Sequence, residues 1–304
     1  MAISRAQLMK ELVPGLNALF GQEYKRYPEE HRDIYTIESS ERSFEEETKI
    51  TGFGPAQIKP EGSAIAYDEA QESYTARYTH ETIAIGFAVT EEAFEDNLYD
   101  SLSSRYTKAL ARSMAHTKQV KAASVLNNAF AATGFNGGDG VPLCAINHPL
   151  VLGGATNSNT TATPADLNET SLENAAVQIA GWLDDRGLLI AAKPRKLIIP
   201  AAQMFTATRL LRSQYRPGTA DNDINAIYTN GTIPEGYAVN HWIVDPRTWY
   251  IVTDVPNGLK HFTRVALKTS NDPDFDTGNL RFRARERYSF GWSDPLGIYG
   301  TKGS

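Results

Sequence analysis

Residues 48–89 read TKITGFGPAQIKPEGSAIAYDEAQESYTARYTHETIAIGFAV, a stretch in which short β-like runs alternate with glycine and proline. Tyr74–Thr79 and Thr82–Phe87 carry the β-branched and aromatic side chains of strands, while Gly52, Gly54, Pro55, Pro60 and Gly62 mark turns. The pattern predicts a long β-hairpin with little core of its own. Thr90 then stands as an N-cap, with Glu91 and Glu92 at the positive end of a helix dipole. Phe94, Leu98, Leu102, Tyr106, Leu110 and Met114 repeat every four residues, and Val120, Leu126 and Phe130 extend the stripe after a small phase shift. A continuous helix over 91–131 would be about 60 Å long. That is too long for most small domains, so the helix reads as the spine of an elongated molecule.

Working outward, residues 1–27 predict a helix interrupted at Pro14, with Leu8, Leu12, Leu16, Leu19 and Phe20 at helical spacing. Gly134 to Thr163 is rich in Gly, Asn, Thr and Pro and reads as a surface loop. Thr170 and Glu173 form a capping-box pattern for a helix bearing Leu172, Ala176, Ile179 and Leu183 and ending at Gly187. Lys196–Ile199 predicts a buried strand and Ala201–Arg212 a helix, a mixed α/β unit. Strands return at Tyr237–Val244, Trp249–Thr253 and Lys260–Lys268. The last is Leu280–Tyr288, a clean period-two run. There is no internal repeat.

With 304 residues the chain suits two domains or one extended domain with an insertion. No apolar run is long enough for a bilayer span, which excludes a membrane partner at this level. The single cysteine, Cys144, rules out an intrachain disulfide and a cysteine-cluster zinc site, and fits production in a reducing cytoplasm. A net charge of −6 argues against broad nucleic-acid binding but leaves room for a local basic stripe.

Little in the chain carries chemistry. Cys144 and His148 are the obvious thiol and base, yet closeness in sequence supplies neither contact nor an orienting group, and a buried Cys beside a turn His reads better. Gly134–Gly140 lacks the Gly-Lys-Ser/Thr ending of a phosphate loop. Asp221-x-Asp223-x-Asn225 and Asp272-x-Asp274-x-Asp276 lack the glycine at position six and the glutamate at position twelve of a calcium loop. No histidine pair has zinc-ligand spacing. No cofactor or metal is expected. Arg281, Arg283, Arg285 and Arg287 are different, because four like charges on one strand face repel unless an anion meets them. Three readings stand: a solvated face, intersubunit pairing with acids such as Glu45, Glu46, Glu47, Glu91 or Glu92, and weak contact with DNA.

Several strings resemble a known family. In the long helix they are Ser103-Ser104-Arg105-Tyr106, Ala109-Leu110-Ala111-Arg112-Ser113-Met114 and Lys118-Gln119-Val120-Lys121-Ala122-Ala123. Beyond it come His148-Pro149-Leu150, Gly153-Gly154, Ser158-Asn159, Asp184-Asp185-Arg186-Gly187, Tyr215 through Asp223, and Arg285-Glu286-Arg287-Tyr288-Ser289-Phe290-Gly291-Trp292. Together they resemble the major capsid (major head) protein of tailed bacteriophages and prophages, of the Mu-like major head subunit group. The likeness runs from about residue 90 to the C-terminus.

The resemblance implies an α+β protein with the Hong Kong 97-type capsid fold. Its parts would be an N-terminal arm at 1–40, an extended β-hairpin loop at 41–89, a peripheral domain with the spine helix at 90–190, an axial domain at 191–267, and C-terminal strands at 268–304 returning to the peripheral domain. It implies no catalysis but self-assembly through pentamers and hexamers into an icosahedral head around double-stranded DNA. The protein would be built in the host cytoplasm and would reside in the virion. A separate scaffold protein, a portal, a possible decoration protein and a maturation protease are implied with it, since the N-terminal arm is too short for a fused scaffold. Some relatives join the extended loop to a neighbour by a Lys–Asn isopeptide bond. Lys49 and Lys59 lie in that region, but no partner Asn or catalytic Glu is identified, so non-covalent assembly is expected. The alternatives are an encapsulin-like shell and a cytoplasmic α/β enzyme using Cys144 and His148.

Overall fold

The computed structural model describes residues 17–90, 92, 99–131, 133–151, 156–216, 223–273 and 279–304. Expectations placed on Leu8, Leu12, Pro14, Leu16, Glu91, Phe94, Leu98, Gly153, Gly154, residues 217–222, Asp274, Asp276 and the side chain of Leu102 lie outside them. Helix α1 covers 17–26. A 3-10 turn (Glu30–Asp33) leads to strands β1 (Thr36–Ser39), β2 (Phe44–Ile50), β3 (Glu72–Thr79) and β4 (Glu81–Val89), then to helix α2 (Tyr99–Asn127). After the short β5 (His148–Pro149) and β6 (Thr156–Asn157) come α3 (Glu169–Ala180), β7 (Pro194–Ile199), α4 (Met204–Arg212), α5 (Ala226–Thr229) and β8 (Tyr237–Val239). Strands β9 (Trp249–Thr253), β10 (Leu259–Pro273), β11 (Leu280–Trp292) and β12 (Ile298–Thr301) complete the chain.

The period-two pattern of β11 organises the first sheet, whose order is β1-β10-β11-β4. Leu280, Phe282, Ala284, Glu286 and Tyr288 point inward and are buried, while Arg281, Arg283 and Arg285 point outward and are exposed. The α2 residues Leu110, Ala111 and Met114 close over the inner face together with Phe20 of α1. Burying a side chain such as Met114 contributes about 1.5–3 kcal/mol.

The second sheet has the order β12-β9-β7-β8, and all five residues of β9 are buried because both of its faces are covered. One face packs Leu197, Ile199, Trp249, Ile251 and Tyr299 against α3 and α4. The other packs Ile198, Tyr250, Val252 and Ile298 against the C-terminal half of α2. Tyr250 donates its hydroxyl to the Leu126 carbonyl at 2.7 Å and Tyr35 donates to Ala122 at 2.8 Å. Helix α2, about 44 Å long, therefore joins the two sheets.

Several expectations need correcting. β3 and β4 do not form the hairpin. β3 pairs with β2, antiparallel from Phe44↔Thr79 to Ile50↔Glu72, and β4 pairs with β11. Only His80 separates β3 from β4, too little for a hairpin turn, while the glycines and prolines at 52–62 lie in the β2–β3 connection. Val120 is exposed, and Phe130 follows the helix rather than extending its stripe. The α3 cap is Asn168, which accepts from the Ser171 amide at 2.8 Å while Ser171 Oγ accepts from the Asn168 amide at 3.0 Å; the helix closes at Gly181, not Gly187. Residues 134–163 are more than a surface loop, since Leu143, Cys144, His148, Asn157 and Asn159 are buried. Of the C-terminal strands, β11 joins the first sheet but β12 pairs with β9 in the second.

Candidate assembly surfaces

The β2–β3 hairpin forms an arm whose connection, residues 51–71, exposes large apolar side chains. Ile58 is 96% and Tyr67 94% exposed, and Phe53 and Ile65 are also largely bare. The Ile58 and Tyr67 side chains bury almost nothing within their own subunit. The root of the arm, by contrast, is fastened by charge. Lys49 Nζ lies 3.0 Å from Asp294 and 3.5 Å from Asp185. Burial opposes its charge, but the two carboxylates outweigh burial and hold its pKa above the usual lysine value. Arg186 donates to the Gly52 carbonyl at 3.0 Å and to Asp68 at 3.1 Å. Beyond Asp68, which accepts from the Gly54 amide at 2.7 Å, the tip carries Lys59 and Glu61 into solvent.

The arginine ladder lies on the outer face of the first sheet. Its β4 neighbours in register are Thr82, Ala84, Gly86 and Ala88, opposite Arg287, Arg285, Arg283 and Arg281. A Cβ on Gly86 would come 2.8 Å from the Phe282 carbonyl oxygen, so the backbones approach more closely there than any other residue allows. On the β10 side, Arg283 donates to Ser270 Oγ at 2.6 Å, and Arg285 stands opposite Lys268. The arm is rooted on this same face: Arg287 reaches the Ser43 carbonyl at 3.5 Å, Ser289 Oγ lies 3.0 Å from His80 Nδ1, and the Tyr78 and Phe262 rings meet at 4.8 Å.

Three of the acids named as partners for the ladder, Glu45, Glu46 and Glu47, have contacts within the chain. Ser40 donates to Glu45 at 2.7 Å, Arg77 sits 3.7 Å from Glu46, and Lys260 pairs with Glu47 and, at 3.0 Å, with Glu38. Glu92 is exposed. The arm carries other acids toward solvent, namely Glu61, Glu69 and Glu72.

Cys144 and His148 do not come together as a dyad. Burial alone pushes the Cys144 thiol far above its usual value, the opposite of what a nucleophile needs, and among the described residues no hydrogen bond links it to His148. His148 instead sits 2.7 Å from Asp139 and 3.1 Å from Asn159 Oδ1. The Asn159 amide donates to the carbonyls of Leu143 (2.7 Å), Pro295 (2.8 Å) and Ile298 (3.1 Å), tying this segment to β12. No metal-binding group of His, Cys, Asp and Glu occurs among the described residues, and none of their helices is long and apolar enough to cross a membrane.

One element escaped sequence reasoning. Lys118 of α2 pairs with Glu286 of β11 at 3.0 Å inside the helix–sheet layer. Burial lifts the Glu286 carboxyl above its usual range, against the pull of Lys118. The signal was present, because the period that turns the arginines outward turns Glu286 inward.

The family model for phage capsid proteins matches residues 73–301. The chain belongs to that family. As a capsid protein it has a structural role, forming the shell of a phage head, and its fold is the Hong Kong 97 type. A virus-like particle from Pyrococcus furiosus is 12% identical, with a TM-score of 0.55 over 96% of this chain and 100% of that one. The capsid of the native GTA particle is 14% identical, with a TM-score of 0.53 over 91% of each chain. Mycobacterium phage Che8 is 15% identical, with a TM-score of 0.52 over 90% of this capsid protein and 92% of its own chain. No curated protein matches in sequence. The family match does not resolve the Mu-like group.

Proposed function

We propose that copies of this capsid protein join head to tail, the arm of one lying across the arginine face of the next, into pentamers and hexamers that close into an icosahedral head around double-stranded DNA. The observation that carries this reading is the arm itself: a projection with bare Ile58 and Tyr67 at its tip and partly buried charge pairs at its root. Heterologous contacts of this kind close into rings when the rotation between copies allows. In this scheme the first sheet with α2 is the peripheral unit and the second sheet with α3 and α4 the axial one. Glu61, Glu69 and Glu72 replace Glu45–Glu47 as the arm's anionic contacts, because the latter already have partners in their own chain. Lys49 is likewise engaged by two carboxylates, which supports non-covalent assembly and leaves Lys59 as the exposed lysine of the tip. A separate scaffold and a portal complete the scheme.

The test is size-exclusion chromatography and negative-stain imaging of the purified protein, alone and with scaffold, alongside Arg283→Glu/Arg285→Glu. Shells from wild type and small species from the variant are expected. A wild-type monomer under every condition, or normal shells from the variant, refutes the scheme, and shells loaded with protein in place of DNA favour an encapsulin-like compartment.

A further inference from the structure

Between Asp100 and Asp139 the sequence contains no Asp or Glu, although the whole chain holds 36 acidic against 30 basic residues. Helix α2 fills most of this interval. Of its cations, Lys118 and Lys121 are spent inside the chain, on Glu286 and Glu81. Arg105, Lys108 and Arg112 are exposed and have no ion-pair partner among the described residues. At positions i, i+3 and i+7 they form one column about 10 Å long. Exposed helix cations usually alternate with acids one turn away, and like charges at that spacing cost helix stability. Among the described residues, no ion pair offsets the repulsion within this column.

The column flanks a groove of about 450 Å³ that is also lined by Ala109, Ser113, His116 and two residues of the α1 region, Glu23 and Tyr27. Among the described residues Glu23 is the one carboxylate there, and it is held by Arg26 at 3.6 Å and Tyr27 at 3.5 Å. The side of the layer matters as much as the charge. Leu110, Ala111 and Met114 pack on the inner face of the first sheet, so the column points away from the sheet. The arginine ladder and the root of the arm lie on the opposite side. The subunit thus carries two cationic surfaces back to back. If neighbours cover the ladder side, the helix side is left for a different polyanion.

We propose that the outer face of α2, through Arg105, Lys108 and Arg112, holds the phosphate backbone of duplex nucleic acid. The proposal rests on the capsid reading and adds the surface by which an acidic shell meets its contents. Binding is independent of base sequence, since phosphates are neutralised and no base edge is read.

The test is fluorescence anisotropy of a random-sequence duplex with the full-length protein over a salt series. Wild type is compared with Arg105→Gln/Lys108→Gln/Arg112→Gln and with Arg281→Gln/Arg283→Gln/Arg285→Gln, with circular dichroism confirming the fold of each. Removing three phosphate contacts should lower the salt dependence of log K by about 2.7, about 40-fold less weakening between ~50 and ~200 mM salt. The ladder variant should keep the wild-type slope. Absence of wild-type binding, an unchanged slope in the helix variant, or a loss confined to the ladder variant overturns the proposal. So does poly-glutamate bound through the helix residues as tightly as the duplex at equal charge, which would assign the face to an acidic protein. Negative-stain imaging of the same samples tests shell formation separately, so the capsid reading and this proposal fail independently.

Discussion

Lys118 reaches Glu286 from the middle of α2, and the pair is nearly shut off from solvent, with side chains 13% and 2% exposed. Among the described residues, Glu286 Oε1 and the Tyr288 hydroxyl beside it have no hydrogen-bond partner. A charge left alone in such a place is expensive. Lys118→Met should therefore cost about 3–5 kcal/mol in urea unfolding, and Lys118→Met/Glu286→Leu should recover most of that loss. Equal stability of the single variant and wild type would mean that Glu286 is already neutral. Two histidines sit nearby, His31 and His261, with ring centroids 5.2 Å apart. Burial pushes His31 down to about 4, with Lys118 and Arg32 adding to it and Glu29 and Gln119 opposing. Burial pushes His261 down to about 3, reinforced by His31, Lys118 and Arg32. Unfolded histidines take up protons near pH 6.5 and these two do not until far lower, so stability is full above that value and falls as pH drops toward 4. Each ring contributes about 1.4 kcal/mol per pH unit to the fall. His261→Phe should flatten the decline in unfolding free energy between about pH 6 and 4 by roughly that amount, and an unchanged slope would show a ring protonated in the folded state.

At the level of elements, α3 depends on Asn168. Asn168→Ala should cost about 1 kcal/mol in the same unfolding assay, while Thr170→Ala should cost much less, because Thr170 is not the cap. The sequence pattern pointed to Thr170 and Glu173 because those residue types dominate capping boxes; an Asn–Ser box offers the same two hydrogen bonds with less common letters. The faces of β11 were legible, since strict alternation over nine residues admits one reading, although the strand runs on to Trp292; β7, β9 and α4 were legible to within three residues at their ends. The pairing of β3 was not. Strand composition says that a segment is extended, and says nothing of its partner, so two adjacent runs looked like a hairpin although the turn residues lay twenty positions earlier. The burial within 134–163 was hidden for a similar reason: polar, turn-forming residues such as Asn159 hold this segment inside through contacts more than a hundred positions away.

Over the whole molecule, the surfaces were less legible than the fold. The arginine ladder was visible as a string, but the contacts that Glu45, Glu46 and Glu47 make within their own chain come from tertiary structure alone. The arm tip offers the sharpest separation of folding from assembly. Ile58→Asp/Tyr67→Asp changes two residues that touch almost nothing in their own subunit, so unfolding free energy should shift by no more than about 0.5 kcal/mol. Shell formation by negative-stain imaging should be lost, and wild-type yields of shells would remove the arm from the interface.

Thr82, Ala84, Gly86 and Ala88 give the strip beside the ladder almost no side-chain height, and the arginines next to it recur every second residue, about 6.6 Å apart. Such a strip is a smooth lane with evenly spaced grips. In the assembly proposed above, a neighbour resting on this strip would tilt or slide by one grip without meeting a bump, so one contact would serve neighbours set at slightly different angles.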